Sequence, residues 1–439
     1  MVAVVVVVHG FIHLLGAAKG FGWADVALLK MPIGAGMGVV WLAAAVLLIL
    51  AGALLALGGR SWPVVAAVAV VISQVVIVSS WGDAKAGTAA NVLLLTAVVY
   101  GVASQGPRSY RARYRRAVVT ALAGSVANAG VGVTEPDLAH LPDAVAAYLR
   151  QSGTVGRPRV INFNARIHGR IRAGANTSWM PFTGEQVNTY GPEPSRLFLM
   201  DANKSGLPVE VLHMFAGRSA TMRVKVCSLI PIVNAAGPRM ERGETVTMFN
   251  DLCVLAPAAL LDAPVVWQPV GDHHVRGTFT HGPHTVTAEL TFNDDHELVD
   301  FVSDDRFRAS PDGRTFTSQR WSTPICGYRN VDSRRLGTNG EGRWHAPEPE
   351  GEFAYLEFHL DEITYNAGTV ASAIPEARYV SNPRALHMSP TMTNQSGLGG
   401  HDVRKSGSSM SRDSSDSGKK PISEGTLLRL SKELKLLVR

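Results

Sequence analysis

The chain has 439 residues, of which 46% are hydrophobic, and a formal net charge of +6 at pH 7. Residues 105–118 hold five arginines and no acidic residue, residues 369–439 are also basic, and acidic residues outnumber basic ones in 119–368. This distribution argues against nucleic-acid binding, which would place the basic residues on the folded domain. It favours basic flanks that contact anionic lipid.

Residues 1–104 contain four apolar runs that are long enough to cross a bilayer. They are Val2–Ala18, Ala35–Gly58, Trp62–Trp81 and Thr88–Ser104. A hydrocarbon core about 30 Å thick needs roughly 20 helical residues, and shorter spans are tolerated when their flanks snorkel. The first run lacks the charged start and the small-residue cleavage site of a signal peptide, so we interpret it as a helix. The sequence predicts an integral membrane protein with a four-helix region.

Basic residues next to the spans predict the orientation. The arginines of the juxtamembrane linker, residues 105–133, lie on the same side as Arg60, whereas acidic residues offset Lys19, Lys30 and Lys85 on the other side. The positive-inside rule then places the large domain, residues 134–368, in the cytoplasm. The linker arginines are Arg108, Arg111, Arg113, Arg115 and Arg116.

The cysteines agree with a reducing compartment, because Cys227, Cys253 and Cys326 are too widely spaced to form a disulfide framework. An alternative topology stays open. If Ala117–Val133 entered or crossed the membrane, the large domain would lie outside, but this segment is only mildly apolar and contains several glycines.

The large domain begins with a short predicted helix, Ala144–Gln151, and then changes to a period of two. In Arg159–Gly174 the apolar residues alternate with polar ones, as in a half-buried strand. A second helix is predicted at Gly243–Leu255. Further strands are predicted at Arg196–Asp201, Val209–Phe215, Thr221–Val226, Val275–Thr280, Thr285–Phe292, Glu297–Val302 and Phe353–Tyr365.

The predicted fold class is therefore an N-terminal transmembrane helical bundle followed by an α+β soluble domain dominated by a curved antiparallel sheet. Turn-forming residues separate the strands of a three-stranded meander at His281–Pro283 and Asn293–Asp295. Two segments, Thr177–Pro194 and Arg314–Gly351, are expected to be loops. The second includes the glycine-rich residues 337–342, which lack the strand–helix setting of a phosphate-binding loop.

The motif at residues 9–16 (HGFIHLLG), the pair Ser73-Gln74, residues 81–87 (WGDAKAG) and Asn91 resemble an uncharacterised family of bacterial membrane proteins. Residues 141–142 and 148–150, residues 179–182 (WMPF) and Gln186 resemble that family's soluble part. The resemblance covers roughly residues 1–366 and implies no activity, because the family has none established. In outline, the sheet over helical segments is also similar to the open half-barrel of lipoprotein-carrier proteins.

Residues 369–439 depart from that family. Up to about residue 420 they are rich in Ser, Gly, Asn and Asp, a composition that cannot bury enough apolar surface to become ordered. Ser423–Arg439 places four leucines on one face with basic residues around them, which predicts a basic amphipathic helix. Such a helix either is solvated or docks on the membrane surface.

Two histidines in the first span, His9 and His13, are four residues apart and share one helix face. There two imidazoles could bind a metal ion or relay a proton. The alternative is that both are neutral and hydrogen-bond to Ser73, Gln74 or Asn91, which would hold the bundle together. The intramembrane polar candidates are His9, His13, Gln74 and Asn91, with Asp83 and Lys85 at the outer boundary.

Five histidines of the meander fall at strand ends or turns: His273, His274, His281, His284 and His296. Hairpin geometry could bring three of them to one zinc ion. No spacing matches a known metal motif, however, and exposed turns often contain histidine, so they are weak metal candidates. No cofactor is predicted, and the sequence has no recognisable catalytic motif.

Two functions follow as hypotheses. In the first, the membrane-tethered sheet leaves a concave apolar face that binds or handles a lipid or another hydrophobic ligand. In the second, the protein is a metal-dependent membrane enzyme or redox protein that uses its histidines. The ligand-pocket candidates are Trp179, Phe182, Arg306, Trp321, Tyr328 and Trp344.

Overall fold

The computed structural model describes residues 2–124, 132–191, 193–310 and 313–367. The predicted tail, residues 369–439, and its amphipathic helix Ser423–Arg439 lie outside the described residues. Part of the predicted linker, residues 125–131, also lies outside them.

Four helical stretches are long and apolar enough to cross a membrane: Val2–Gly20, Ala35–Ala56, Trp62–Ser79 and Gly87–Ala123. They contain α1 (Val2–Gly20), α2 (Ala35–Ala56), α3 (Trp62–Ser79) and α5 (Gly87–Gln105), and the short α4 (Trp81–Ala84) precedes α5. Small residues let these helices approach closely. A Cβ atom at Gly16, for example, would lie 2.2 Å from the Trp41 ring of the next helix.

The fourth stretch is interrupted after Gln105, and its second half forms α6 (Tyr110–Ala123). Ser109 caps this helix by accepting a hydrogen bond from the Ala112 amide at 3.1 Å. The apolar side of α6 packs on the outer face of the sheet, so Tyr110–Ala123 of the basic linker is a docked helix rather than a free connection. The buried residues of this contact are Tyr110, Tyr114, Val118 and Leu122 of α6 with Val187, Leu197, Leu199 and Leu212 of the sheet.

The large domain is built on one 14-stranded sheet with the order β6-β5-β4-β3-β2-β1-β16-β15-β13-β10-β9-β8-β7, in which β14 pairs with β15. A separate hairpin, β11–β12, lies beside it. The strands are β1 Asn162–Ile171, β2 Met180–Thr189, β3 Ser195–Lys204, β4 Leu207–Ala216, β5 Ser219–Val226, β6 Ile230–Ala236, β7 Val265–Gly271, β8 His274–His281, β9 His284–Phe292, β10 Leu298–Ser303, β11 Phe307–Ala309, β12 Phe316–Ser318, β13 Trp321–Ser322, β14 Ile325–Val331, β15 Arg334–His345 and β16 Glu352–Tyr365.

The sheet curls around helix α8 (Pro238–Val254), which contacts β5 and β6 from one end of the strand order and β8, β9 and β10 from the other. Thirteen residues of α8 are buried. Phe249 lies at the centre, with ring centroids 5.4 Å from Phe279 and 5.3 Å from Phe301. At one end the two arms of the sheet meet, where His281 Nε2 donates to the Gly217 carbonyl at 2.6 Å.

The remaining helices close the domain. Helix α7 (Asp143–Gln151) buries Tyr148, whose hydroxyl donates to the Cys253 carbonyl at 2.6 Å. The 3₁₀ turn Glu135–Leu138 precedes α7 in the chain, and the 3₁₀ turn Pro257–Leu261 follows α8. The structure confirms the predicted fold class: apolar N-terminal helices precede a large antiparallel sheet.

The two predicted loops are wrong, because Thr177–Pro194 contains β2 and Arg314–Gly351 contains β12 to β15. The glycines of β15 misled the prediction. A Cβ atom at Gly337 would lie 2.2 Å from Ile325 Cγ2, and one at Gly340 would lie 2.6 Å from the Phe358 ring. These glycines make room for neighbouring side chains within a strand rather than marking a turn.

Candidate functional site

A cavity of about 330 Å³ lies between α8 and the inner face of the sheet, a size at the lower end of ordinary ligand pockets. Because side chains alternate across a strand, residues two apart on β3 and β4 face it, such as Phe198 and Met200. The apolar part of its wall comprises Ile167, Met180, Phe182, Phe198, Met200, Val209, Val211, Met222, Val224, Val233, Met240 and Val254. Four of these are methionines, whose flexible side chains adapt to irregular shapes.

A buried ionic cluster also lines the cavity. Arg196 Nε lies 2.6 Å from Asp251 Oδ2, and Arg196 Nη1 lies 3.2 Å from Glu244 Oε2. Gln186 Nε2 and Asn188 Nδ2 donate to the same Asp251 oxygen at 2.7 and 3.0 Å. The cluster joins α8 to β2 and β3, because its two carboxylates come from the helix and its donors come from the strands.

Charged neighbours oppose the effect of burial on the pKa values of Glu244 and Arg196. Burial alone would raise the pKa of Glu244, but the neighbouring His213, Arg196 and Arg306 outweigh it and lower that pKa far below its ordinary value. Burial would likewise lower the pKa of Arg196, but Asp251 and Glu244 raise it instead. The two arginines and two carboxylates therefore form an internally balanced group.

Arg306 extends this group towards two tryptophans. Its guanidinium carbon lies 4.6 Å from the centroid of the Trp321 ring and 5.9 Å from that of Trp344. The same side chain donates to the Gly243 carbonyl at 2.8 Å and to the Thr247 hydroxyl. Arg306 thus connects the loop before β11 with α8 and with the wall of the cavity.

Further arginines surround the solvent side of the cavity. Arg308 pairs with both oxygens of Glu350, at 2.6 and 3.0 Å. Arg172 donates to the Ala354 and Ala175 carbonyls, at 2.7 and 2.6 Å. Arg239, at the start of α8, is exposed and donates to the carbonyl of Phe316 at 3.4 Å.

The structure places four of the six predicted pocket residues on the cavity wall: Phe182, Arg306, Trp321 and Trp344. Trp179 lies outside it, beneath the guanidinium groups of Arg170 and Arg172 at 4.6 and 4.5 Å. Tyr328 is also outside the cavity wall, where its hydroxyl donates to the Leu298 carbonyl at 2.9 Å and burial raises its pKa.

The sequence reasoning missed the ionic cluster of Arg196, Glu244 and Asp251. One signal was available, because Glu244 and Asp251 are seven residues apart and so share a face of the predicted helix. An acidic pair of this kind usually marks the solvated side of an amphipathic helix. Here the pair Glu244 and Asp251 is buried instead, because both arms of the sheet pack against α8.

The intramembrane polar residues form a hydrogen-bonded group between α1, α3 and α5. Ser73 Oγ lies 2.8 Å from His13 Nε2 and 3.3 Å from His9 Nε2, and it donates to Asn91 Oδ1 at 3.0 Å. His9 Nε2 lies 3.2 Å from the same Asn91 oxygen, and Asn91 donates to Gln74 at 3.0 Å. This arrangement matches the interpretation in which the histidines hold the bundle together.

The two charged residues at the boundary behave differently. Asp83 Oδ2 accepts a hydrogen bond from the Met31 amide at 2.7 Å, which ties the segment before α2 to α4. Lys85 is exposed.

The meander histidines are not brought together as a zinc site would require. His274 and His281 stand at opposite ends of β8, which separates them by roughly 23 Å at 3.3 Å per residue. His281 and His284 are paired across the hairpin, but His281 bonds to Gly217, and His284 Nε2 lies 3.4 Å from Glu241. Among the described residues, no three His, Cys, Asp or Glu side chains are grouped to hold a metal ion.

The remaining two histidines are also apart from any such group. His273 Nε2 lies 3.6 Å from an oxygen of the exposed Asp294. His296 occupies the turn before β10 with a positive φ of 58°. The hypothesis of a shared zinc site in the meander is therefore wrong for the described residues, because the hairpins spread the histidines over different ends of the strands.

The cavity-bearing domain matches a family model described as a family of unknown function, DUF6544, over residues 132–358. This match covers more than half of the chain, so the chain belongs to that family. No curated protein matches the chain.

Two solved structures are similar in outline. A DUF1329 family protein from Desulfovibrio piger has 9% identity and a TM-score of 0.30 over 52% of this chain and 94% of that one. A putative outer membrane lipoprotein-sorting protein domain from Vibrio parahaemolyticus has 10% identity and a TM-score of 0.28 over 47% of this chain and 86% of that one.

Proposed function

We propose that this protein is a membrane-anchored binding module whose β domain holds a hydrophobic ligand next to the bilayer. The observation that carries the proposal is the cavity of about 330 Å³ between α8 and the sheet, with its largely apolar, methionine-rich wall. A concave pocket with a largely apolar wall favours a hydrophobic ligand. The proposal requires no cofactor and no catalytic residue.

The connection to the membrane supports this function. Helix α6 follows the last membrane helix and packs on β2, β3 and β4, whose opposite faces line the cavity. Arg111 pairs with Asp201 at 2.5 Å, and Lys225 lies 4.6 Å from the centroid of the Tyr110 ring. These contacts would keep the cavity at a constant distance from the bilayer, which suits transfer of a ligand from it.

A cross-linking experiment tests the ligand class. The full chain is placed in phosphatidylcholine nanodiscs with hexadecanol that carries a photoactivatable diazirine, and cross-linked peptides are mapped by mass spectrometry. We expect adducts on β3 and β5, near Met200 and Val224, besides adducts on the lipid-facing membrane helices.

The control is Ala202→Trp, which fills the cavity from β3. It should remove the adducts in the sheet and leave those in the membrane helices. Wild-type adducts confined to the membrane helices would contradict the proposal.

We further propose that the β domain faces the cytoplasm, as the excess of arginines after α5 favours. Cys326 is exposed, Cys227 is partly exposed and Cys253 is buried, so Cys326 can report the side in a Cys227→Ser background. A membrane-impermeant maleimide should label Cys326 in inverted vesicles and not in intact cells, and Cys326→Ser should remove the signal. Labelling in intact cells would place the domain outside.

The alternative, a metal-dependent membrane enzyme that uses His9 and His13, stays a prediction. Both imidazoles already contact Ser73, so no observation favours a metal there. Elemental analysis of the purified protein separates the two functions. A stoichiometric metal that is lost in His13→Leu would support the enzyme.

A further inference from the structure

Four buried hydrogen-bond donors on residues that line the cavity lack a partner within the described part of the chain. They are Asn250 Nδ2, Arg306 Nε, Trp321 Nε1 and Thr323 Oγ1. A fifth polar atom of the wall, His213 Nδ1, also lacks a hydrogen bond and lies 3.7 Å from Glu244 Oε1. Buried polar groups in folded proteins are nearly always satisfied, so several unsatisfied donors around one cavity indicate a missing acceptor. An apolar occupant alone would leave them unsatisfied.

These donors belong to neighbouring elements. Arg306 lies over the Trp321 ring and bonds to Thr247, which is one helical turn before Asn250 on α8. Trp321 and Thr323 are two residues apart in extended chain, so their side chains leave the backbone on the same side. The four donors therefore belong to residues of α8, of the segment before β11 and of the segment at β13, and Arg306 links these segments on one part of the wall.

The charges of the wall favour an anion as the acceptor. Of the three carboxylates on the wall, Glu244 and Asp251 are already engaged by Arg196, and Glu341 is engaged by Arg343 at 2.7 Å. Arg172 and Arg239 on the solvent side bond to main-chain carbonyls, which do not neutralise their charge. Arg239 also lies in the first turn of α8, where the helix dipole favours negative charge.

We infer that the occupant of the cavity is a single-chain amphiphile with an anionic oxygen head, a carboxylate or a phosphate, and this inference rests on the proposed function. The head accepts hydrogen bonds from the four donors, and the chain lies along the methionine-rich strands. The volume of about 330 Å³ suits one chain. Arg172 and Arg239 add positive charge to other parts of the wall.

The test is competition against the uncharged diazirine probe in phosphatidylcholine nanodiscs, whose lipid has no net charge. Palmitate, hexadecyl phosphate and hexadecanol are added at equal mole fractions, and loss of the adducts on β3 and β5 is measured. We expect at least one anionic competitor to be about tenfold more effective than hexadecanol, because hydrogen bonds to charged groups are the stronger ones. Whether palmitate or hexadecyl phosphate competes better identifies the head.

Two variants remove donors without emptying the wall: the double variant Trp321→Phe/Thr323→Val, and Asn250→Leu. Each should lower the advantage of the anion over hexadecanol several-fold while uncharged-probe adducts persist, which shows that the cavity has folded. Trp267→Phe is the matched control, because Trp267 is outside the cavity wall, and it should change nothing.

Equal competition by all three compounds would overturn the inference and leave the proposed function intact. An anion advantage that survives in both donor variants would also overturn it. Absence of any adduct in the sheet of the wild-type protein would instead remove the proposed function itself.

Discussion

The membrane bundle and the β domain both bury polar side chains, but the two regions satisfy them differently. In the bundle, Ser73 is the shared partner of His9, His13 and Asn91, and only the Nδ1 atom of His13 is left over in this group. Around the cavity of the β domain, four donors from α8, from the segment before β11 and from the segment at β13 have no partner among the described residues. A satisfied group fixes packing, whereas a group of unsatisfied donors is suited to a ligand.

The two groups also differ in charge. The bundle group consists of hydroxyl, amide and imidazole side chains and contains no carboxylate, ammonium or guanidinium group, which suits a lipid environment where ions are costly. The group in the β domain contains the full ion pairs of Arg196 with Glu244 and Asp251. We therefore expect a substitution in the ion-paired group of the β domain to cost more unfolding free energy than one in the bundle group.

The largest effect is expected from Arg196→Met, which leaves Glu244 and Asp251 buried without their shared cation. Breaking a buried ion pair in this way costs about 3–5 kcal/mol. Denaturant unfolding of the full chain in detergent, followed by near-ultraviolet circular dichroism, measures the loss. The matched control is Arg170→Met, which breaks a pair with Glu357 at 2.6 Å on a half-exposed side chain and should cost at most about 1 kcal/mol. An equal loss of unfolding free energy in the two variants would show that burial does not determine the cost of breaking these ion pairs.

A smaller effect is expected from Ser73→Ala, which removes the common partner of the bundle group. Hydrogen bonds between membrane helices contribute about 0.6–2 kcal/mol, so the loss should lie in that range. Thermal unfolding of the helical signal in nanodiscs provides the measurement. Ser79→Ala is the control, because Ser79 donates within its own helix to the Val76 carbonyl at 2.8 Å and reaches another helix only weakly, through the Met37 sulfur at 3.7 Å. A Ser73→Ala midpoint no lower than that of the control would refute the assigned role.

The same contrast explains what the sequence could predict. A membrane helix can be predicted from a short stretch of sequence, because a run such as Ala35–Ala56 is apolar on every side. The meander strands could also be predicted, since apolar and polar residues alternate within each strand and turn-forming residues separate the strands. The predicted partners of His9 and His13 followed from the few polar residues that the other spans contain.

The site in the β domain depends on long-range structure. The inner residues of β2 include Gln186 and Asn188, which made the strand look like a polar loop. Their partner, Asp251, is 63 to 65 residues away on α8. The glycines of β15 read as turn signals because the rings that need their space come from β14 and β16. No local pattern contains this information.

The smallest expected effect concerns Glu210, a buried acid on β4 beside the strands that carry α6. Burial raises its pKa above the ordinary value of 4.5, and the positive charges of Arg111 and Lys225 only partly oppose this. Because the folded protein binds this proton more tightly than the unfolded chain, the group's stabilising contribution is complete below pH 4.5 and is lost as the pH rises through the higher folded pKa. Glu210→Gln should therefore raise the unfolding midpoint at pH 8 and leave it unchanged near pH 4.

The control for this prediction is Glu289, whose pKa is shifted in the opposite direction. At Glu289, a hydrogen bond from Arg276 lowers the pKa, so its stabilising contribution is present above pH 4.5 and is lost as the pH falls through the lower folded pKa. Glu289→Gln should thus lower the midpoint slightly at pH 8, where Glu210→Gln raises it. Thermal unfolding of both variants and the wild type between pH 4 and pH 8 gives the comparison. A midpoint for Glu210→Gln that falls below the wild type at pH 8 would mean that this acid is stabilising in its charged form, through Lys225 opposite it on β5.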